Sequence, residues 1–136
     1  MDMNDVIKIL VIDDERMMRT TITRILQRAH YDIVTANDGA DGLARFRREH
    51  PDLVITDIIM PEREGIETIR QMLRERPGTK ILAMSGGGRM GDVDFLTMAH
   101  QLGASDVIRK PFDPRELLDR VRLCLESRAT PADRVA

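Results

Sequence analysis

The sequence predicts an α/β domain in which five short strands form a mainly parallel sheet covered by helices on both faces. Three observations carry this reading. Apolar runs of four to eight residues alternate with helix-period segments five times along the 136-residue chain. The first and third runs are almost wholly apolar, as suits strands buried on both faces. Polar residues able to do chemistry then follow four of the five runs, at the carboxyl ends where sites form in such sheets.

The first run, Val6 to about Asp13, is almost wholly apolar and ends in Asp13-Asp14-Glu15. A helix from about Glu15 to Arg28 follows, with Met18, Ile22, Ile25, Leu26 and Ala29 on one side. The acids at its start suit the positive end of a helix dipole. Tyr31–Ala36 is a shorter, more alternating strand and reads as an edge. Asn37-Asp38-Gly39 is a turn or cap signal. Asp38–Glu49 is then helical through Ala40, Leu43, Ala44 and Phe46, and Pro51 closes it.

Leu53–Asp57 is the third strand, three apolar residues and Thr56 running into one carboxylate. Gly65–Glu75 is a helix with Ile66, Ile69 and Leu73 on one side, stopped by Pro77-Gly78. Lys80–Ser85 is the fourth strand, followed at once by Gly86, Gly87 and Gly88. A helix over about Asp92–Leu102 ends at Gly103, a usual C-terminal position for glycine. Asp106–Arg109 is the fifth strand and leads into Lys110-Pro111-Phe112. The last helix opens with Asp113 as cap, Pro114 in the first position and Glu116 completing a capping-box pattern. Leu117, Leu118, Val121, Cys124 and Leu125 form its apolar stripe, so Cys124 reads as a small core residue. Residues 1–5 read as an N-terminal extension and 127–136 as a flexible tail.

Bulk properties exclude several classes. The formal charge of −2 gives no reason to propose a nucleic-acid or membrane surface, and the arginines read as interleaved with acids on solvated helix faces. One cysteine allows no internal disulfide and no cysteine-rich metal site. No run approaches the roughly 18 apolar residues of a membrane span, and the acidic first five residues lack a secretory pattern. A cytoplasmic location is expected.

The strand exits carry Asp13, Asp14, Asp57, Ser85 and Lys110. Each has an ordinary explanation as a cap, a glycine-turn residue or a solvated charge. Their coincidence at one edge of one sheet is harder to explain that way. Three carboxylates and one ammonium leave two negative charges, a set matched to one Mg²⁺, which prefers hard oxygen ligands. A carboxylate beside such a cation can attack phosphorus, with the metal and Lys110 neutralising the equatorial oxygens and Ser85 donating to one of them. His30, His50 and His100 lie away from this edge and receive no role.

With Asp13-Asp14, Asp57 before Ile-Ile-Met-Pro, the downstream Gly65, Ser85 and Lys110-Pro111-Phe112, residues 6–126 resemble a response-regulator receiver domain of two-component signalling, of the single-domain, chemotaxis-regulator-like kind. The resemblance implies a flavodoxin-like (βα)5 fold with strand order 2-1-3-4-5. It implies that Asp57 accepts a phosphoryl group from a sensor histidine kinase. Asp13, Asp14, Asp57 and the backbone carbonyl of Ile59 would hold Mg²⁺, and Ser85 and Lys110 would bind the phosphoryl oxygens. A cis Lys110-Pro111 bond is also implied. The expected output is contact with a downstream protein, or relay to a histidine phosphotransfer protein, by a monomer or a phosphorylation-dependent dimer. Such a chain assists its own phosphotransfer and dephosphorylation without turning over a separate substrate, and no effector domain of its own is expected.

The chain departs from the family pattern at Val107, where receivers generally carry Tyr or Phe as a rotamer switch. A β-branched side chain is too stiff and short to swing. Gly86, Gly87 and Gly88 offer a pliant loop instead; it either becomes ordered on phosphorylation and shifts the helix Asp92–Leu102, or simply clears space for the phosphodonor. Phe95 and Met98 belong to a broad apolar set on that helix, readable as partner surface or as a wider buried face. Ile59 and Gly87 offer no side-chain group to orient an attacking water. Two other readings fit less well. A phosphohydrolase of the haloacid dehalogenase type needs Asp-x-Asp-x-Thr after strand one, where this chain has Asp13-Asp14-Glu15-Arg16. A nucleotide-binding module rests on Ser85 and the glycines alone, without a P-loop Lys-Ser/Thr.

Overall fold

A computed structural model describes residues 6–58, 64–86 and 101–127. Five strands, β1 (Lys8–Ile12), β2 (Asp32–Ala36), β3 (Leu53–Asp57), β4 (Ile81–Ser85) and β5 (Asp106–Arg109), form one sheet in the order β2-β1-β3-β4-β5. Every pairing is parallel. Helices α1 (Arg16–Arg28), α2 (Gly39–Glu49) and α3 (Glu64–Glu75) and a C-terminal helix (Pro114–Glu126) connect or follow them. The expected order and the edge position of the second strand are both found. The helix predicted over Asp92–Leu102 lies outside the described residues except for Gln101 and Leu102, which are helical.

The pleat sends alternate residues to opposite faces, and each face has its own core. Leu10, Ile12, Val54, Ile81 and Ala83 pack with Phe46, Ile69 and Met72 of α2 and α3. Ile9, Val11, Ile55, Leu82 and Met84 pack with Ile22 and Leu26 of α1 and with Leu117, Val121 and Cys124 of the C-terminal helix. Cys124 is thus a buried core residue, as its place on the stripe predicts.

Local chemistry fixes the element ends. Asp38 caps α2 by accepting from Asp41 N–H at 2.7 Å, and Asp113 caps the C-terminal helix by accepting from Glu116 N–H at 2.8 Å. Helix α1 begins one residue later than predicted, at Arg16, with Glu15 as the flanking residue and no acid in the first turn. It ends in a left-handed residue, His30 at φ 70°. His30 N–H bonds the Gln27 carbonyl at 3.0 Å and Tyr31 N–H the Leu26 carbonyl at 3.2 Å, the paired bonds of a Schellman motif. His50 closes α2 at φ 50°, also left-handed. Two of the histidines therefore terminate helices where glycine is the usual choice. Among the described residues, no helix is long and apolar enough to cross a membrane.

Candidate functional site at the carboxyl ends of the strands

Parallel strands all end at one edge, and topology brings the chemistry of distant residues together there. Asp13 follows β1 and is fully buried, while its neighbour Asp14 is exposed. Asp57 ends β3 at 5% exposure, and Ser85 ends β4 at 6%. Lys110 follows β5, and its backbone N–H bonds the Ser85 carbonyl at 2.8 Å, extending the ladder by one residue. The Lys110-Pro111 peptide is cis, as the resemblance implies.

The Lys110 ammonium donates to Asp13 Oδ2 and to Asp57 Oδ2, each at 2.8 Å. Asp13 Oδ1 accepts from Glu15 N–H at 2.9 Å, so one buried carboxylate caps the turn into α1 and also holds the lysine. Burial alone would lower the Lys110 pKa; the hydrogen bonds and charges of Asp13 and Asp57 outweigh it and hold the ammonium above its ordinary value. Carboxylate oxygens of Asp13, Asp14 and Asp57 lie within 4.8 Å of one another. One ammonium cannot balance three such groups. The donor set is wholly hard oxygen, the kind that holds a divalent cation, and it fits one.

Gly65, near the start of α3, shapes the wall of this pocket. A Cβ there would sit 2.4 Å from the Asp57 carbonyl oxygen and 2.7 Å from Ile58 Cα. Both are backbone atoms and cannot swing aside. The sequence marks Gly65 only as part of a motif; its role is to let α3 close on the strand carrying Asp57.

The family model for the response regulator receiver domain matches residues 9–122. The chain belongs to that family. The receiver is 36% identical over 118 residues to the alkaline phosphatase synthesis transcriptional regulatory protein PhoP of Bacillus subtilis, covering 87% of this chain and 48% of that protein. It is 40% identical, over the same shares of each, to a probable transcriptional regulator ycf27 of Porphyridium aerugineum. The chain spans about half the length of these curated relatives. Among solved structures, a CheY-like response regulator receiver domain protein of Methanospirillum hungatei superposes with a TM-score of 0.81 at 28% identity, over 90% of this chain and 95% of that one. A receiver domain protein of Clostridium thermocellum gives 0.79 at 30% identity, over 88% and 94%.

The receiver's structure brings together Asp13, Asp14, Asp57 and Lys110, and it places Ser85 on the adjoining strand end. Val107 is half-buried on β5 against the α2–α3 side of the sheet. Gly86 is exposed, with open space where a side chain would stand. Ile59, Gly87, Gly88, Phe95 and Met98 lie outside the described residues. One reading needs correction: arginines are not interleaved with acids everywhere. Helix α1 carries Arg16, Arg19, Arg24 and Arg28 and no acid at all, which a charge count by helix shows directly.

Proposed function

We propose that this receiver accepts a phosphoryl group on Asp57 from the phosphohistidine of a sensor kinase or a histidine phosphotransfer protein, with Mg²⁺ as cofactor. The observation that carries this reading is the ammonium of Lys110 shared between the carboxylates of Asp13 and Asp57 beside Asp14. A carboxylate oxygen of Asp57 attacks phosphorus; the new O–P bond forms as the P–N bond breaks, and the imidazole nitrogen leaves with the electron pair. Lys110 keeps Asp13 as its partner and turns from the Asp57 oxygen to a phosphoryl oxygen. The Ser85 hydroxyl, on the neighbouring strand end, donates to another. Asp13, Asp14 and Asp57 would hold Mg²⁺, whose bound charge would help neutralise those oxygens.

The phosphorylated receiver then contacts a downstream protein or passes the phosphoryl group on, assisting its own transfer chemistry without turning over a separate substrate. The transcriptional roles in the relatives' names are not carried over, because the match is confined to about half of each of them. The test is intact mass after exposure to a small acyl phosphate, with and without Mg²⁺, beside Asp57→Asn. A gain of one phosphoryl group that needs Mg²⁺ and is absent from the variant is expected. The same gain in Asp57→Asn would assign the acceptor elsewhere.

A further inference from the structure

Away from the acidic pocket, an open cleft of about 360 Å³ runs between α1 and β2. Its walls include Arg16, Arg19 and Arg24 with Thr23, Gln27 and Thr35, and no carboxylate lines it. The helical residues recur at steps of three and four, so they form one stripe beside the buried Ile22 and Leu26. Among the described residues, neither Arg16 nor Arg24 has an ion-pair partner. Thr23 Oγ1 is buried and has no hydrogen-bond partner, alone in this among the described side chains. Buried hydroxyls normally find one. Three guanidiniums, hydroxyls and an amide, without a carboxylate, form a donor set for a multiply charged oxyanion.

Arg19 connects this cleft to the acidic pocket. Half-buried, it lines the cleft and donates from Nη1 to the Asp13 carbonyl oxygen at 2.7 Å. A guanidinium has five N–H donors in a planar fork, so it can hold that carbonyl and also face a ligand. Arg19 therefore touches both the cleft and the Asp13 backbone.

We propose that the α1–β2 cleft binds a small phosphate-bearing anion, soluble and not membrane-embedded, and that Arg19 transmits its binding to Asp13. The anion is recognised by the guanidiniums of Arg16, Arg19 and Arg24, with the Thr23 hydroxyl turned to a phosphate oxygen. The site is separate from Asp57, and the proposal stands whether or not Asp57 is the phosphoacceptor.

The test is titration of inorganic pyrophosphate, in the absence of Mg²⁺, into the isotope-labelled full chain with backbone amide shifts as readout. Saturable shifts are expected at Thr23, Gln27 and Thr35, extending to Asp13 and Asp14. Arg24→Gln, at an exposed position, should weaken binding roughly tenfold, the loss of one charge-assisted contact. It should leave phosphoryl uptake at Asp57 unchanged. Arg19→Gln should remove the shifts at Asp13 and Asp14. Thr23→Val should keep or raise thermal stability while weakening binding; a gain in stability with unchanged binding would make the hydroxyl a packing defect and overturn its role. No saturation by about 1 mM, the weak end of specific affinity, or shifts confined to Asp57 and Lys110, would overturn the site. So would retention on phosphatidylglycerol vesicles that Arg24→Gln abolishes, without a response to pyrophosphate, since the anion would then be a lipid headgroup.

Discussion

The two ends of the sheet handle charge in opposite ways. At the amino ends of the strands, Lys8 and Lys80 each have partners of their own. Lys8 Nζ meets Glu49 at 3.0 Å, Lys8 N–H meets Asp52 Oδ2 at 2.8 Å, and Lys80 Nζ meets the Leu125 carbonyl at 2.7 Å. Arg47 and Glu75 clasp the C-terminal turns of α2 and α3 at the same end. At the carboxyl ends, Asp13, Asp14 and Asp57 crowd together around one ammonium. Matched pairs join elements at little electrostatic strain, and exposed ones contribute modestly. Crowded like charges cost stability, and here they form a cluster that could hold a metal ion.

The sharpest way to break this contrast is Lys110→Met. It removes the only described ammonium in the pocket and leaves carboxylates uncompensated, which costs about 3 kcal/mol for a broken buried pair. Phosphoryl uptake should slow by about 10²–10³, the usual loss for one preorganised donor. The pH dependence follows from the raised Lys110 pKa. Its contribution is full below the unfolded lysine value of about 10.4 and is lost as pH rises through the folded value. Wild type should therefore show an alkaline loss of stability that Lys110→Met lacks, read by urea unfolding across pH. Equal alkaline limbs in the two proteins would refute the shared-ammonium account.

Gly65→Ala comes next. Its methyl would meet the backbone of Asp57 and Ile58 at 2.4 and 2.7 Å, an overpacking worth about 1–3 kcal/mol. Because α3 must retreat from the strand that carries Asp57, phosphoryl uptake should fall along with the unfolding midpoint. A midpoint loss with uptake intact would confine the clash to packing. Arg47→Gln should have the smallest effect and should act at the opposite end of the pH scale. Hydrogen bonds from Arg47, then from Gln71, hold Glu75 down at about 2 from an ordinary 4.5. That contribution is present above 4.5 and lost as pH falls towards 2. The variant should match wild type in strong acid and trail it slightly at neutral pH, without change in phosphoryl uptake.

Which parts were legible in the chain follows from which carry local signals. Almost wholly apolar runs revealed β1 and β3, and Asp113-Pro114 with Glu116 announced the start of the last helix to the residue. The pocket was legible because parallel strands put every exit at one edge, so Asp13 and Lys110 could be joined without any spacing rule. That Lys110 bridges two carboxylates instead of standing free required coordinates. The left-handed His30 and His50 were not legible, because histidine carries no signal for that conformation comparable to glycine's. Gly65 looks like a helix-start residue until the backbone behind it is known. The acid-free run of arginines in α1 was visible throughout, hidden only by counting charge over the whole chain.

The lysine bridge also sets an order of events for a chain made from its amino end. Asp13 and Asp57 lie 97 and 53 residues ahead of the ammonium that joins them. A nascent chain can lay β1, β3 and β4 side by side while the carboxylates still lack that partner. Only when β5 adds itself to the sheet edge does the pocket gain its cation. Synthesis proceeds N-terminus first, so the fifth strand acts as a completion signal: a chain cut short before residue 110 carries the Asp13 and Asp57 carboxylates without the ammonium that joins them.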